Sequence, residues 1–580
     1  MFPSIHRLIF DLSLSRETFN TNWKQANVTP VFKKGDSSLT NNYRPISLLS
    51  VVSKVMERCI FKYLHNHLVD NSIITPFQSG FTHGDSAVNQ LIHLNDTFCK
   101  ALDQGKEVRV VFFDISKAFD RVWHKGLLKK LEYIGITGEL LLWFENYLSN
   151  REQRVIIRNG KSDFKAIGAG VPQGSILGPI LFLIFINDIV ENISSHIRLF
   201  ADDTTLFLIV NNPNETALTL NSDIDKIVDW SNKWFVTFNP IKTESLVISR
   251  KIRKPFHPCL YMDHTLITEV ENHKHLGIIF SENGTWLEHI NYIIQKANNR
   301  LNILRKLKFT IDRASLEKLY FSYIRPLLEY VDVIWCNIPN YLINQLENIN
   351  IEAARIMTGA TKLVSLNKLY EDTCWTTLES RRKRHRLRIF HKMYNKLTPE
   401  YLSLLIPSQN DTGTDRRTRQ TDNIPTINCK TQTYYDSFLP ATIRDFNLIP
   451  PDIKRSSTSD FKKFLECNDI KQKYYFNSGT RKGQILHTRL RLKCSSLNEH
   501  LYLKNIRNDP FCACGQIESN KHFLLDCPLY MIYRNKYFPN LPCTLTEGNL
   551  LYGDDSLSPE ENSDIFKNVQ SYIIDSKRFS

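Results

Sequence analysis

The sequence predicts a mixed α/β fold, because apolar strands, a hairpin and amphipathic helices alternate along its first 250 residues. Residues 108–115 form an apolar run of strand length, and residues 197–210 alternate like two short strands joined by a turn. Residues 216–235 have the period of an amphipathic helix, with two tryptophans on or near its buried face. From about residue 285 the pattern becomes mainly helical, so we expect an α/β region followed by helices.

The remaining elements follow in chain order. A polar loop at 33–44 leads into helical periodicity over 46–70. Residues 126–148 indicate one or two helices, and residues 154–157 a strand. A short strand is expected at 246–249, and the polar stretch at 406–426 is the best linker candidate.

Composition narrows the class of protein. At 580 residues the chain has room for several domains, and its net charge of +14 favours a polyanionic partner such as nucleic acid. Most of the twelve cysteines are isolated, which indicates a reducing compartment, the nucleus or cytoplasm, rather than secretion. Arg7 and Asp11 interrupt the apolar N-terminus, so no signal peptide is expected. The apolar run at 176–186 is too short to span a bilayer, so we expect no membrane segment.

Two adjacent carboxylates, Asp202 and Asp203, lie in the middle of the apolar hairpin pattern. Like charges side by side in a dry strand are costly unless a cation neutralises them, so the pair suggests a metal site at the hairpin tip. Taken alone, an Asp-Asp pair is more often a solvated turn.

Two upstream segments support the metal interpretation. Asp114 ends the apolar strand, just before the chain turns into a helix, and there its carboxylate can face a cleft. Residues 170–179 form a glycine-rich turn before an apolar helix, where Gln173 and the backbone can approach a substrate closely. Each segment alone also has an ordinary structural interpretation.

In this order, Asp114, the Gln173 turn and Asp202-Asp203 resemble the palm of a reverse transcriptase. The wider stretch 28–280 resembles non-LTR (LINE-type) retrotransposon reverse transcriptases, and among them the jockey-like elements. The motifs that carry this resemblance are Lys33-Lys34-Gly35-Asp36, Asn42-Tyr43-Arg44-Pro45-Ile46-Ser47-Leu48-Leu49, Gln78-Ser79-Gly80-Phe81, 114–123 and His275-Leu276-Gly277.

The resemblance implies an α/β (α+β) right-hand polymerase palm with fingers, then a mainly helical thumb and connecting region and a small C-terminal Cys/His module. The implied domains are a helical lead-in at 1–20, fingers at 21–110, a palm at 111–280 (the whole reverse transcriptase domain spanning about 25–280), a thumb at 281–370, a basic connecting region at 371–505, a zinc-knuckle-like module at 506–545 and a tail at 546–580.

The implied activity is RNA-directed DNA polymerisation, in which a primer 3′-hydroxyl attacks a dNTP on an RNA template with the help of two Mg²⁺ ions. Carboxylates are the ligands that Mg²⁺ prefers. Asp114 and Asp202 are the expected direct ligands, because successive strand residues point to opposite faces; Asp203 would be an outer or shared ligand.

The resemblance also assigns the nucleotide contacts. Phe119 would be an aromatic gate under the sugar that favours deoxynucleotides; the alternative is that it is merely a core residue. The other implied roles are Gln173 at the incoming nucleotide, Lys33 (or Lys34) with Arg44 at the triphosphate, Lys242 as the acid that protonates pyrophosphate, and His275, Leu276 and Gly277 as the primer grip. For Lys242 the alternative is a residue of a solvated loop.

Two C-terminal patterns have a functional and a structural interpretation. A basic run on one helix can contact phosphates or simply be a solvated face; it comprises Arg381, Arg382, Lys383, Arg384 and Arg386. A Cys/His group fits structural Zn²⁺, or else a set of reduced structural cysteines; it comprises Cys512, Cys514, His522 and Cys527. The dipeptide Asp554-Asp555 in a Tyr-Gly-Asp-Asp stretch lacks an apolar strand around it, and we expect a surface loop.

Departures from the family pattern leave a rival hypothesis. After Gly80-Phe81 the family commonly carries Arg, whereas this chain has Thr82, followed by Asp85 where a basic or small polar residue is common. The alternative is therefore a catalytically impaired, retroelement-derived nucleic-acid-binding protein. No endonuclease pattern is recognised, so we expect either a piece of a longer product that supplies the endonuclease or a truncated copy.

Overall fold

The computed structural model describes residues 2–33, 35–407, 423–467 and 473–579, with the side chains of 2–7 left out. The chain forms two compact units. Unit 1 is Met1–Thr285 together with two segments from later in the chain, Lys396–Ile406 and Asn428–Tyr434, and unit 2 is the rest. Most of the linker expected at 406–426 lies outside the described residues.

Up to residue 285, the part of unit 1 that the structure describes contains seven α-helices, two sheets and two small hairpins. Its helices are α1 (Phe2–Ser15), α2 (Val51–Asp70), α3 (Ala87–Asp103), α4 (His124–Tyr133), α5 (Gly138–Leu148), α6 (Leu177–Ile186) and α7 (Pro213–Trp234). Its strands are β1 (Gln25–Phe32), β2 (Tyr43–Leu48), β3 (Glu107–Phe113), β4 (Arg151–Ile157), β5 (Gly160–Lys161), β6 (Lys165–Ile167), β7 (His196–Phe200), β8 (Asp203–Val210), β9 (Glu244–Ile248), β10 (Tyr261–Met262), β11 (Thr265–Leu266), β12 (Thr268–Glu269), β13 (Asn272–His275) and β14 (Ile278–Ser281).

The central sheet of unit 1 has the order β12-β9-β3-β8-β7. Strand β3 is antiparallel to β8 and to β9, and all seven of its residues are buried. Residues 110–113 of β3 are apolar without alternation, as expected where both faces of a sheet are covered, and the charged Glu107 and Arg109 at its start are buried as well. Helix α6 is also apolar all round, and nine of its ten residues are buried, so it lies inside the same core as β3.

The second sheet of unit 1 has the order β2-β1-β4-β5, with β6 also paired to β4. Strand β1 is antiparallel to β2 and parallel to β4. Residues 151–167 therefore share a sheet with residues 25–48, although the expected fingers and palm place them in different domains. The boundary between those two domains remains a prediction.

One local expectation needs correction, and a second, which left two forms open, is confirmed in one of them. Helical periodicity over 46–70 is wrong at its start, since Ile46 to Leu48 belong to β2 and the helix begins at Val51. Pro45 explains the extended start, because proline keeps the residue before it out of the helical region and here joins the β1–β2 ladder. Residues 126–148 form two helices, α4 and α5. Gly135 lies between them and Gly138 is the first residue of α5, and both adopt positive φ values, of 92° and 61°, that interrupt a continuous helix.

The helices after residue 285 complete the chain, and most of them belong to unit 2. They are α8 (Leu287–Leu307), α9 (Arg313–Leu319), α10 (Arg325–Glu329), α11 (Asn340–Thr358), α12 (Leu366–Thr373), α13 (Leu378–Tyr394), α14 (Glu400–Ser403), α15 (Gln432–Tyr435), α16 (Phe438–Asn447), α17 (Pro451–Lys454), α18 (Thr458–Glu466), α19 (Arg481–Arg491), α20 (Asn498–Tyr502), α21 (Met531–Tyr537), α22 (Glu547–Tyr552) and α23 (Pro559–Asp575). Helix α14 lies in the first returning segment of unit 1.

Unit 2 contains a buried ionic triad that ties its C-terminal helices to its first ones. The carboxylate of Asp372 accepts hydrogen bonds from Arg313 (2.8 Å) and Arg491 (2.6 Å), and all three side chains are almost fully buried. Buried charges are tolerated when they are paired and hydrogen-bonded in this way. Among the described residues, no helix is both long enough and apolar enough to cross a membrane.

Candidate active site

The carboxylates predicted from the sequence lie at one end of the central sheet. Asp114 follows directly after β3, whose last residue, Phe113, pairs with Thr204 of β8. Asp203 begins β8 and pairs with Phe200 of β7, so Ala201 and Asp202 form a two-residue turn. The sequence predicts the turn at residues 202–204, and the structure has it one residue earlier. The antiparallel pairing nevertheless brings Asp114, Asp202 and Asp203 to the same edge.

The electrostatics show that these carboxyls interact with one another. Desolvation raises the pKa of Asp203 to about 6, and the charges of Asp202 and Asp114 add to that effect. Desolvation also raises the pKa of Asp202, with Asp114 contributing. Burial and neighbouring negative charge thus raise the pKa values of Asp202 and Asp203, and a bound cation would relieve this repulsion.

Three basic side chains reach the same carboxylates. Lys33 and Arg44 lower the pKa values of Asp202 and Asp203 by their opposite charge. Lys242 Nζ lies 3.9 Å from Asp114 Oδ2, on a turn whose Asn239 backbone N–H donates to Asp114 O (2.8 Å). The sequence-predicted lysines and arginine are thus placed beside the acids; Lys34, the alternative to Lys33, lies outside the described residues.

The turn that carries Asp202 is held by a residue to which the sequence assigned no role. Gln78 is buried, and its side-chain Oε1 accepts hydrogen bonds from the backbone N–H groups of Gly80 (2.8 Å) and Ala201 (2.9 Å). Ala201 has a φ of 54°, an unusual conformation for a residue with a side chain. A Cβ atom on Gly80 would lie 2.3 Å from Ala201 N, so glycine is required here.

The expected sugar gate, Phe119, is half-buried in an aromatic cluster. Its ring stacks on Phe182 with centroids 4.6 Å apart and meets the exposed Phe81 edge-on at 6.2 Å. One face of the Phe119 ring therefore packs in the core, and its edge meets an aromatic ring at the surface. This position fits either of its two sequence-based interpretations, gate or core.

Gln173 is fastened to the segment that carries Phe119. Its side-chain Nε2 donates to Asp120 Oδ1 (2.9 Å), and the backbone N–H of Val171 donates to Phe119 O (2.8 Å). Gly170 has a φ of 91°, and a Cβ there would lie 2.6 Å from Asp120 O. With one of its two amide N–H groups donated to Asp120, Gln173 keeps its carbonyl oxygen and a second N–H for further contacts.

The helix that follows the Gln173 turn begins on a buried carboxylate. Glu57 Oε2 accepts hydrogen bonds from the backbone N–H groups of Ile176 (2.7 Å) and Leu177 (3.2 Å). A carboxylate at a helix N-terminus satisfies orphan donors and complements the helix dipole. Asp120 and Glu57 were not identified from the sequence, because their partners lie 53 and about 120 residues away.

The predicted primer grip forms the tip of the β13–β14 hairpin. Leu276 and Gly277 are the two turn residues, with φ values of 45° and 88°. The His275 side chain is buried against Phe112 (ring centroids 5.1 Å apart), and burial lowers its pKa to about 3. In this structure residues 276 and 277 are partly exposed, while the imidazole of His275 is part of the core, and the primer-grip role stays a prediction.

The basic run on α13 is largely paired within unit 2. Arg381 forms an ion pair with Glu329, Lys383 with Asp445 (2.8 Å) and Arg386 with the same Asp445 (3.1 Å). Arg382 is buried over the Trp335 ring. Arg384 is half-buried and also has a partner. These contacts give the run a structural role, and its phosphate contacts stay a prediction.

The four predicted zinc ligands do come together. The ligand atoms of Cys512, Cys514, His522 and Cys527 all lie within 4.8 Å of one another. Cys527 Sγ is 3.8 Å from Cys512 Sγ and 3.9 Å from Cys514 Sγ. With Zn–S bonds of about 2.3 Å, tetrahedral geometry places neighbouring sulfurs about 3.8 Å apart, so the group fits Zn²⁺.

The second Asp-Asp pair lies where a surface loop was expected. Asp554 and Asp555 follow α22 and precede α23, and Asp555 forms an exposed ion pair with Lys473 (2.9 Å). Asp554 accepts hydrogen bonds from the backbone and hydroxyl of Ser556. These acids cap and pair locally, unlike those at 202–203.

Comparison with known proteins agrees with the site geometry. Residues 31–280 match the family model described as reverse transcriptase (RNA-dependent DNA polymerase). The probable RNA-directed DNA polymerase from transposon BS of Drosophila melanogaster is 29% identical over 65% of this chain and 43% of its own length. The RNA-directed DNA polymerase from mobile element jockey of the same species is 28% identical over 61% and 40%, respectively.

The chain thus spans less than half the length of these relatives. Among solved structures, the apo telomerase of Candida tropicalis matches at 10% identity, with a TM-score of 0.36, over 78% of this chain and 70% of that one. That likeness is too distant to add to the assignment.

Proposed function

We propose that this chain, whose residues 31–280 are a reverse transcriptase domain similar to those of jockey-like, LINE-type retrotransposons, is an RNA-directed DNA polymerase. As a nucleotidyltransferase it would extend a primer 3′-hydroxyl with dNTPs on an RNA template. The observation that carries the proposal is the convergence of Asp114, Asp202 and Asp203 at one sheet edge, beside Lys33 and Arg44.

The acids supply the binding site for Mg²⁺. Asp114 and Asp202 are the proposed direct ligands and Asp203 an outer or shared one, because their mutual repulsion favours a bound cation. When bound, two Mg²⁺ ions stabilise the attacking and leaving oxygens of an in-line phosphoryl transfer. The remaining tasks, orienting the nucleotide and moving a proton, fall to side chains of the chain itself.

The basic side chains would handle the triphosphate. Lys33 and Arg44 lie close enough to affect the pKa values of Asp202 and Asp203, and we assign them to the phosphate oxygens of the dNTP. Lys242, beside Asp114 and largely exposed, would donate a proton to the leaving pyrophosphate.

Sugar selection would rest on Phe119 and Gln173. The ring of Phe119 is backed by Phe182, so it cannot recede easily from a 2′-hydroxyl. Asp120 holds the side chain of Gln173 through one amide N–H, and Gln173 would present its carbonyl oxygen or its second N–H to the nucleotide. The backbone of Leu276 and Gly277 would support the primer end.

Primer extension on an RNA template tests the proposal. With Mg²⁺ and dNTPs, the wild type should extend a DNA primer, and Asp202→Ala and Asp114→Ala should lose nearly all product. Asp555→Ala is the matched control, because it removes a carboxylate from the other Asp-Asp pair at an exposed site. Loss of product in the control, or full activity of Asp202→Ala, would contradict the assignment. RNA binding without any extension by the wild type would favour the impaired nucleic-acid-binding alternative.

Further parts of the proposal concern the whole protein. We infer fingers and a helical thumb around the palm, RNA template and DNA primer or target as partners, and a nuclear or cytoplasmic location. An endonuclease that nicks the target would be supplied by a longer product.

The cluster of Cys512, Cys514, His522 and Cys527 would hold a structural Zn²⁺. Metal analysis of the purified full chain should find one zinc per chain, lost in Cys512→Ser; a zinc-free wild type would refute the site.

A further inference from the structure

A segment of unit 1 that comes much later in the sequence packs against the β7–β8 hairpin, which carries Asp202 and Asp203. Lys396–Ile406 follows about 110 residues of unit 2 in sequence but packs as part of unit 1. Its helix α14 includes Tyr401, a partly buried side chain. The residues that surround Tyr401 belong to α3, to the loop before α3 and to β7.

Tyr401 makes three separate contacts. Its hydroxyl donates to the carboxylate of Asp85, with distances of 2.9 and 3.0 Å to the two oxygens. The guanidinium of Arg198, on β7, lies 4.2 Å above its ring. The ring of His93, on α3, meets it edge-on at 5.4 Å. A single side chain thus joins three elements of unit 1.

Two of those elements position the acids at 202–203. Arg198 is buried on β7, four residues before Asp202, and also donates to Pro76 O (3.3 Å). The loop from Pro76 to Asp85 clamps the hairpin turn: Ser79 N donates to Leu199 O (2.9 Å), and Gln78 Oε1 accepts from Ala201 N. Tyr401 therefore contacts both Asp85, at the end of the 76–85 loop, and Arg198 on β7, the strand that this loop binds.

The geometry points to Tyr401 as a positioning residue, which acts through Asp85 and Arg198 to hold the turn that carries Asp202 and Asp203. Asp85 is one of the departures from the family pattern, and this contact gives its carboxylate a partner. The inference deepens the proposed polymerase function and rests on it for its kinetic part only. Its structural part can be tested without any activity.

Hydrogen exchange of the full-length chain tests the structural part. Tyr401→Phe removes the hydroxyl and keeps the ring, whereas Tyr401→Ala removes all three contacts, to Asp85, Arg198 and His93. Because the lost hydrogen bond has a charged acceptor, we expect roughly 10-fold faster exchange over residues 76–86 in both variants, and over 196–206 in Tyr401→Ala. Tyr474→Phe, which alters an exposed tyrosine of unit 2, is the control and should leave exchange unchanged.

Kinetics separate positioning from simple stabilisation. Tyr401→Phe should lower kcat roughly 10-fold and raise the Mg²⁺ concentration for half-maximal rate, with little change in the KM for dNTP. Asp85→Asn keeps an oxygen that accepts from Tyr401 and should retain most activity, whereas Asp85→Leu should not.

Three results would overturn the inference: unchanged exchange in Tyr401→Ala, faster exchange spread evenly over unit 1, or an Mg²⁺ dependence equal to that of the wild type in Tyr401→Phe. If the wild type extends no primer, the proposed function fails, while the exchange experiment still decides whether Tyr401 holds the hairpin.

Discussion

Gly80→Ala tests whether the position of the catalytic turn controls the rate. The new Cβ would lie 2.3 Å from Ala201 N and 2.8 Å from Phe200 C, whereas ordinary contacts begin near 3.4 Å. Both neighbours are backbone atoms of the hairpin, so the turn cannot escape by a change of side-chain rotamer. The hairpin and the loop must separate by about 1.1 Å, the difference between the required and the available distance.

A displacement of that size acts directly on the carboxylates, because Asp202 follows Ala201 in the turn. Misplacing a catalytic group by about 1 Å costs on the order of 100-fold in rate. Overpacking should also lower the free energy of unfolding by about 1–3 kcal/mol. We therefore expect Gly80→Ala to fold, with a modestly lower melting temperature and a much lower rate of nucleotide addition.

Single-turnover primer extension at saturating dNTP measures this effect, and thermal denaturation measures the stability. Gly168→Ala is the matched control, because a Cβ there meets no atom within 4 Å and φ is not positive. The control should equal the wild type in both assays. If Gly80→Ala extends primers as fast as Gly168→Ala, the turn is not held by this contact and the reasoning is wrong.

The remaining predictions concern selectivity, buried charge and pH. Phe119→Ala should raise ribonucleotide incorporation roughly 10-fold or more, measured by competition between rNTP and dNTP; unchanged sugar preference would refute the gate. Asp120→Ala should raise the KM for dNTP because Gln173 loses its partner, whereas Asp120→Asn, which keeps an acceptor, should raise it less; equal effects would contradict the contact. Asp372→Ala should destabilise the protein by about 3–5 kcal/mol in urea denaturation, since Arg313 and Arg491 would stay buried without a counter-charge. Burial and the charge of Arg491 lower the pKa of His487 to about 3. Between about pH 6.5 and 3 the unfolded chain therefore binds a proton that the folded chain excludes, so the free energy of unfolding should fall as the pH drops through this range. In His487→Gln the melting temperature should fall less steeply over the same range.

The sequence predicted those features of the site that depend on local pattern. The apolar run of β3 and the alternation around 202–203 define strands, and strands that share a buried face pair with one another. The antiparallel pairing of β3 with β8 brings Asp114 and Asp202 to one edge of the central sheet, and their role as Mg²⁺ ligands stays a prediction. Helix α7 and the start of the helical region were predicted for the same reason.

Contacts between residues that are far apart in the sequence could not be predicted from local pattern. The basic run on α13 has no acidic pattern nearby, because Glu329 and Asp445 lie about 50 and 60 residues away from it. Glutamine in a loop carries no periodicity, so the clamp made by Gln78 was invisible. At Ile46 two local signals conflict: the preceding Pro45 favours a strand, and the apolar spacing from residue 46 onward favours a helix. The hydrogen-bonded pairing with β1, which the sequence does not show, makes residues 46–48 a strand.

The returning segments of unit 1 also constrain how the protein folds during synthesis. After Thr285 leaves the ribosome, the segment ending at Tyr434 is still about 150 residues away. At translation rates of about 5–20 residues per second, this corresponds to a delay of roughly 7 to 30 s. Until then Arg198 lacks its contact with Tyr401, and the C-terminal end of α3, where Asp103 accepts hydrogen bonds from Lys430 and Thr431, lacks those two partners. We therefore expect nascent chains to depend on chaperones in this interval, and unit 1 to be complete only after the helices between residues 286 and 395 have been made.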